Sequence, residues 1–530
     1  MEKFRDAGFN TVDIYVAWNR IEPREGEFVF NDPDITGFLD LCTELGLMVY
    51  FRPGPYICNE LDGGGLPAWL FTKTTKKNKN DDDRPNLRTD DPDYLFYATR
   101  YLTELNKKIL PYLASNGGPV VLYGIENEYN WFETFFEVDK LFAYDGGTER
   151  GLTQATGVKK MFESLRDAVI ASGVDVPITT CPGDATVSGM GDVTGVIPMP
   201  NIYKNETTER YAYDTLISMH DPTKFGGAYT NYPSGSTETD RSPGRMMRLF
   251  LGGMDGYFGF NIAGFHQEGR QNALTLDNSG LETIVDLSPQ NVLSLFVSPT
   301  VNYFSGVIDF YGPIGAAGTL REKYFEFRRF NMFLDDVEPL LAGLLLPAVV
   351  TTGPCADCPV AVLNGSLGAL EGQTRRHYYF TAADGAIFLG LTNESDAPIT
   401  VAPGEITVGE RSIPRFVPLT VPVGVNPGAP EDPHGDTSYA RILIAGLPIG
   451  PVRIAHTTSE VLRLRRFNDE VLVALHGPKG SEGELLFDDL PDGAKVTYRD
   501  GAVTQRDGET GTIALTYTHD GIAQALLSAG

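Results

Sequence analysis

The chain has 530 residues, 42% of them apolar, and a formal net charge of −27 from 70 acidic and 43 basic side chains. That length exceeds one hydrophobic core and predicts two or three domains. The acidity disfavours nucleic acid and anionic membranes as partners and suits a neutral ligand such as a sugar, and no apolar run reaches the roughly 20 residues that cross a bilayer.

The N-terminus, MEKFRDAGFNTVDIYV, lacks the ordered charged, apolar and small-residue blocks of a signal peptide. It reads as the last turn of an amphipathic helix running into a strand. The chain is therefore expected to start inside a fold, with a first strand and any leader outside it. The compartment stays open between cytoplasm and a secreted setting.

Strand signals recur along the first 330 residues: NTVDIYV, LMVYFRP, VVLYGIEN, VPITTC, GVIPMPNIY, FGGAYTN and DGYFGFNIA. Each is short, rich in β-branched and aromatic residues, and bounded by turn formers. Helical patterns lie between several of them. In ITGFLDLCTELG, Ile35, Phe38, Leu39, Cys42 and Leu45 recur at three- and four-residue spacing, and Gly46 supplies a stop. DPDYLFYATRYLTELNKKILPYL opens with Pro92 in a first turn and repeats apolar positions on one face. Near-continuous apolar strands alternating with helices predict a parallel sheet buried on both faces. Seven of them predict an α/β fold, a (β/α)8 TIM-type barrel whose first strand is absent from this chain.

After about residue 345 helical periodicity fades. HYYFTA, AIFLGLTN, ARILIAG, EVLVALHG and TIALTYT recur between Gly, Pro, Asp and Asn turns, the pattern of all-β sandwich domains. The expected domains are a barrel over 1–335, a β-rich domain over 336–440 and a β-sandwich over 441–530. Of the five cysteines, Cys355 and Cys358 form GPCADCP with no second pair to complete a zinc site; a local disulfide or two idle thiols fit that loop. The seven His are scattered, no phosphate loop is visible, and no metal or organic cofactor is expected.

Barrel sites lie at the C-terminal ends of strands. Here those ends read YVAWN, RPGPYICNELDGGGLPAW and GIENEYNWF, dense in aromatic, acidic and amide groups. Aromatic rings stack on sugar C–H faces while carboxylates and amides bond hydroxyls. Glycoside hydrolysis needs two carboxyl groups about the scissile bond. GIENEYNW offers Glu126 and Glu128 around Asn127. Residues two apart on a strand share a face, so periodicity leaves the choice between them open, and either one could be a structural hydrogen-bonding group.

RPGPYICNE followed by GGLPAW, then GGPVVLYGIENEY, resembles glycoside hydrolase family 35, the β-galactosidases, over roughly residues 1–335. YVAWNRIEPREGEFVF and REKYFEFRRF resemble the family's early strand-loop and post-barrel helix. The resemblance implies a retaining, exo-acting hydrolase of terminal β-linked galactose or a related hexose, working by double displacement. It implies Glu128 as acid/base and Asn127 as the group on the sugar's 2-hydroxyl. It implies Tyr15, Cys58, Asn59 and Glu60 as lining the sugar subsite, and more weakly Tyr257 with Phe310 or Tyr311. Asn59 and Leu61 depart from the small residue and the Trp usual beside that Glu. The family's nucleophile is a Glu in a pattern that GAYTN fits with Gly227 in the Glu position. Three readings stay open: a nucleophile-less or glycosynthase-type variant at Gly227, another carboxylate such as Glu238 or Asp221, and a sugar-binding pseudoenzyme without turnover.

Overall fold

The computed structural model describes residues 1–129 apart from 32, 60, 78–82 and 86, residues 156–181 and 193–202 apart from 200, several short strands from 235 to 308, residues 312–341 apart from 316, and the strands between 363 and 528 named below. By backbone contacts the chain divides into two units, 1–239 with 256–320, and 240–255 with 321–530. Among the described residues no helix is long and apolar enough to cross a membrane.

The first unit opens with α1 (Glu2–Asp6), β1 (Thr11–Tyr15), α2 (Trp18–Ile21), α3 (Ile35–Leu45) and β2 (Met48–Gly54). Then come α4 (Pro92–Ile109), β3 (Val120–Ile125), α5 (Thr156–Ala171), β4 (Ile178–Thr180) and β5 (Ile197–Pro198). The five strands form one parallel sheet in the order β1-β2-β3-β4-β5. Three more, β6 (Asn201–Ile202), β7 (Gly235–Thr239) and β8 (Gly256–Gly259), form a second parallel sheet with β7 in the middle. The parallel α/β reading of this half holds; closure of a barrel depends on segments outside the described residues.

The helix ends follow their sequence signals. Asp34 caps α3 by accepting from the Gly37 N–H at 2.9 Å, and Gly46 ends it at φ 69°, a left-handed conformation that costs glycine little. Asp91 caps α4 by accepting from the N–H groups of Asp93 and Tyr94, with Pro92 at the first helical position where no N–H is needed. The inner helix faces bury Leu39, Cys42, Tyr94, Ala98, Tyr101, Leu102 and Leu105 against Val49, Phe51, Tyr123 and Ile125 of the sheet. Burial pushes the Cys42 thiol up to about 11, so this cysteine is a core residue.

Asp83 and Arg84 of the acidic stretch NDDDR, together with Pro85, pair antiparallel with Thr75–Lys77. Glu238 lies on strand β7. FGGAYTN lies outside the described residues, as does the Cys355–Cys358 loop.

In the second unit, α6 (Glu322–Leu341) precedes antiparallel strands: β9 (His377–Thr381), β10 (Ile387–Thr392), β11 (Ala440–Ile449), β12 (Val452–Thr457), β13 (Glu460–Phe467), β14 (Glu470–His476), β15 (Glu482–Asp488), β16 (Lys495–Arg499), β17 (Thr504–Asp507), β18 (Ile513–Thr518) and β19 (Ala523–Ser528). They form a seven-stranded sheet, β9-β10-β11-β12-β15-β18-β17, and a four-stranded one, β13-β14-β19-β16. Smaller sheets of three and two strands involve residues 363–364 and 399–421. The all-β reading of this region holds at the level of its sheets.

Candidate active site

The site is built at the C-terminal ends of the parallel strands, around two buried arginines. Arg52 of β2 is only 2% exposed. Its Nη1 donates to Asp13 Oδ2 at 3.0 Å and to the Tyr15 hydroxyl at 2.5 Å, both on β1. Its Nη2 donates to Asn127 Oδ1 and, at 2.7 Å, to the sulfur of Cys181 just beyond β4. The guanidinium also lies over the Tyr15 ring, 4.3 Å from its centre. Gly124 makes room for this side chain: a Cβ there would stand 2.8 Å from Arg52 Cγ and from the Tyr50 hydroxyl. Burial works against the charge on Arg52, but Cys181, Tyr15 and Asp13 around it hold its pKa well above the ordinary value.

Arg88 is the second. It is 1% exposed and sits in a left-handed conformation, φ 56°. Its Nε and Nη2 donate to Glu126 Oε2 at 3.0 and 2.5 Å, and Nη2 also donates to the Asn127 carbonyl at 2.7 Å. Its guanidinium stacks on Tyr56 at 3.8 Å and faces Tyr129 at 5.0 Å.

These contacts separate the two carboxylates that periodicity could not. β3 ends at Ile125, and both Glu126 (φ 61°) and Glu128 (φ 42°) take left-handed backbone conformations, so the alternation of a strand no longer applies. Glu126 turns inward to Arg88. Burial pushes its carboxyl up against the pull of that guanidinium, and its Oε1 accepts no hydrogen bond among the described residues. Glu128 is half-buried; its N–H donates to the Cys181 carbonyl at 2.8 Å, and its Oε1 accepts from Asn201 Nδ2 at 2.7 Å. Glu126 is therefore a structural ion-pair partner, and Glu128 is the less buried of the two carboxylates.

Of the seven non-glycine residues with left-handed φ among the described residues, five are Cys58, Asn59, Arg88, Glu126 and Glu128. Strained backbone of this kind gathers where side chains must be aimed.

Of the residues expected at a site, Tyr15 and Asn127 meet on Arg52, and Glu128 joins them through Cys181 and Asn201. Cys58 and Asn59 follow β2 in the left-handed pair just noted. Tyr257 lies on β8, its Cα in register with Ser236 of β7. On the other side of β7, Glu238 is in register with Asn201 of β6. Glu60, Asp221, Gly227, Phe310 and Tyr311 lie outside the described residues. Sequence reasoning missed Arg52, Arg88, Cys181 and Asn201. Two of these, Arg52 and Cys181, carried a usable signal: a polar side chain at or just past the C-terminal end of a buried parallel strand.

A model of glycosyl hydrolases family 35 matches residues 1–215. Mouse β-galactosidase is 45% identical over 128 residues, 24% of this chain and 18% of that one. Human β-galactosidase is 41% identical over 166 residues, 30% of this chain and 23% of that one. The rat β-galactosidase-1-like protein 3 is 29% identical over 296 residues, 52% of this chain and 40% of that one. The chain thus spans under half the length of these curated relatives. Among solved structures, the cold-adapted β-galactosidase of Rahnella sp. R3 covers 84% of this chain and 94% of its own with a TM-score of 0.42 and 11% identity, a likeness too distant to bear on the site. Residues 1–215, which contain both arginines and Glu128, are the part of the chain that matches glycosyl hydrolases family 35.

Proposed function

We propose that the chain is a retaining, exo-acting glycoside hydrolase that releases terminal β-linked galactose or a closely related hexose. Glu128 serves as acid/base, Asn127 bonds the sugar's 2-hydroxyl, and Glu238 serves as nucleophile. One observation carries the last assignment: Glu238 is paired in register with Asn201, whose side chain bonds Glu128. Neighbouring strands stand about 4.8 Å apart, so this register favours Glu238 as the source of the second carboxylate.

In the first step a Glu238 carboxylate oxygen attacks the anomeric carbon and the glycosidic C–O bond breaks. Glu128 gives its proton to the leaving oxygen. The product is a glycosyl ester on Glu238 and a free aglycone. In the second step the Glu128 carboxylate takes a proton from water as that water attacks the same carbon. The ester breaks, Glu238 returns as a carboxylate, and the sugar leaves with its configuration retained.

Azide rescue separates the roles. With an activated aryl β-galactoside, E238G with azide is expected to yield the α-galactosyl azide, and E128A with azide the β-galactosyl azide. Wild-type turnover in E238G overturns the nucleophile assignment. A silent wild-type chain that gains turnover in G227E would instead support the nucleophile-less reading at Gly227. Sugar binding without turnover in wild type and G227E alike would support the pseudoenzyme.

A further inference from the structure

We propose that Cys181 and Arg52 are positioning residues that lock the side-chain amide of Asn127 in one orientation, with its –NH2 turned to the substrate. The inference rests on the proposed role of Asn127 toward the sugar and deepens it.

Asn127 is 2% exposed and is held from two sides. Arg88 Nη2 donates to its backbone carbonyl at 2.7 Å. On the side chain, Oδ1 accepts from Arg52 Nη2 and from the Cys181 thiol at 3.0 Å. Cys181, fully buried, in turn accepts from Arg52 Nη2 at 2.7 Å. The three groups close a small ring: guanidinium to sulfur, sulfur to amide oxygen, guanidinium to amide oxygen.

Donor and acceptor chemistry gives this ring one sense. A guanidinium carries donors only. Turning the amide over would set its –NH2 against Arg52, donor against donor, in a site where an unmatched buried donor costs on the order of 1–3 kcal/mol. Arg52 alone forbids the flip but leaves the amide free to swing about its χ2 torsion, which is broad for asparagine. A second donor at a different angle removes that freedom, and the thiol supplies it. With Oδ1 bonded twice by the protein, the –NH2 is the group left to donate to a sugar hydroxyl. Contacts to the 2-hydroxyl strengthen as the glycosidic bond breaks, so the locked amide acts on the transition state more than on the bound substrate.

The test compares an aryl β-galactoside with its 2-deoxy counterpart in wild type, C181A, C181V and C181S. Valine fills the site without a donor; serine keeps a donor. C181A and C181V are expected to lose about tenfold in kcat on the galactoside with KM changed less than about twofold. The 2-deoxy substrate should lose no more than about twofold, and C181S should recover most of the galactoside rate. Equal losses on both substrates, no loss on either, or a serine variant no better than alanine would each overturn the proposal. If wild type cleaves no galactoside, the functional reading fails, and the crystal structures of C181A and C181V decide the positioning role. A rotated Asn127 amide supports it, and an unmoved one overturns it.

Discussion

Asn201 donates its side-chain amide to Glu128 Oε1 across 2.7 Å, linking the start of the second parallel sheet to the carboxylate beyond the end of β3. A hydrogen bond to a charged group contributes about 1.5–3 kcal/mol. N201A is expected to lower kcat/KM on an aryl galactoside by about ten- to a hundredfold, with the far-ultraviolet circular dichroism unchanged. Loss of folded signal in place of lost rate would count against this role.

Arg88 and Glu126 form a buried pair, so removing one partner strands the other. R88M is expected to destabilise the first unit by about 3–5 kcal/mol at neutral pH. The sign of its pH dependence follows from Glu126. Burial already raises that carboxyl's pKa, and losing Arg88 raises it further. A group with a raised folded pKa favours folding below its unfolded value and weakens it as pH rises through the folded one. The R88M penalty should therefore shrink as pH falls toward 5 and grow toward 8, as read by urea denaturation across that range.

Gly124 gives Arg52 its path. A methyl group there would press to within 2.8 Å of Arg52 Cγ and the Tyr50 hydroxyl. Overpacking of this kind costs about 1–3 kcal/mol. G124A should lose that stability and, by displacing the Arg52 fork, lose activity as well. A fully active G124A would show that the fork tolerates displacement.

In the second unit, His456 Nε2 and Glu484 Oε1 stand 2.7 Å apart, both fully buried, and Glu484 Oε2 accepts from the Val417 N–H. H456L is expected to cost about 3–5 kcal/mol because it leaves a buried carboxylate. The double variant H456L/E484M should cost clearly less than the sum of the single ones, measured as a double-mutant cycle.

Much of the scaffold was legible because it is local. The apolar spacing of α3, its Gly46 stop and Pro92 at the start of α4 are signals within a few residues of one another. What was illegible depends on partners far apart in the chain. Arg52 stands inside the quoted motif RPGPYICNE, yet its role appears only when Asn127 and Cys181, 75 and 129 residues away, come to meet it. The strand rule also misled at Glu126 and Glu128. Two left-handed residues end the alternation there, and only burial against Arg88 tells one carboxylate from the other. Around Glu238 the sequence SGSTETD is rich in turn formers, and the pairing of β7 with β6 and β8 overrides that local preference.

The Arg52 cluster has a consequence for how the chain folds. Its partners come from β1, from just past β3 and from just past β4, so no early hairpin or single βα unit can satisfy it. Until all of those segments are in place the guanidinium stays hydrated, and a half-built sheet gains little from the residues that will make the site. The amides of β2 and β3 should therefore exchange with solvent in one slow cooperative class. Truncation within β1 should then release hydrogen-exchange protection at β4 as well, more than 160 residues along the chain from the cut.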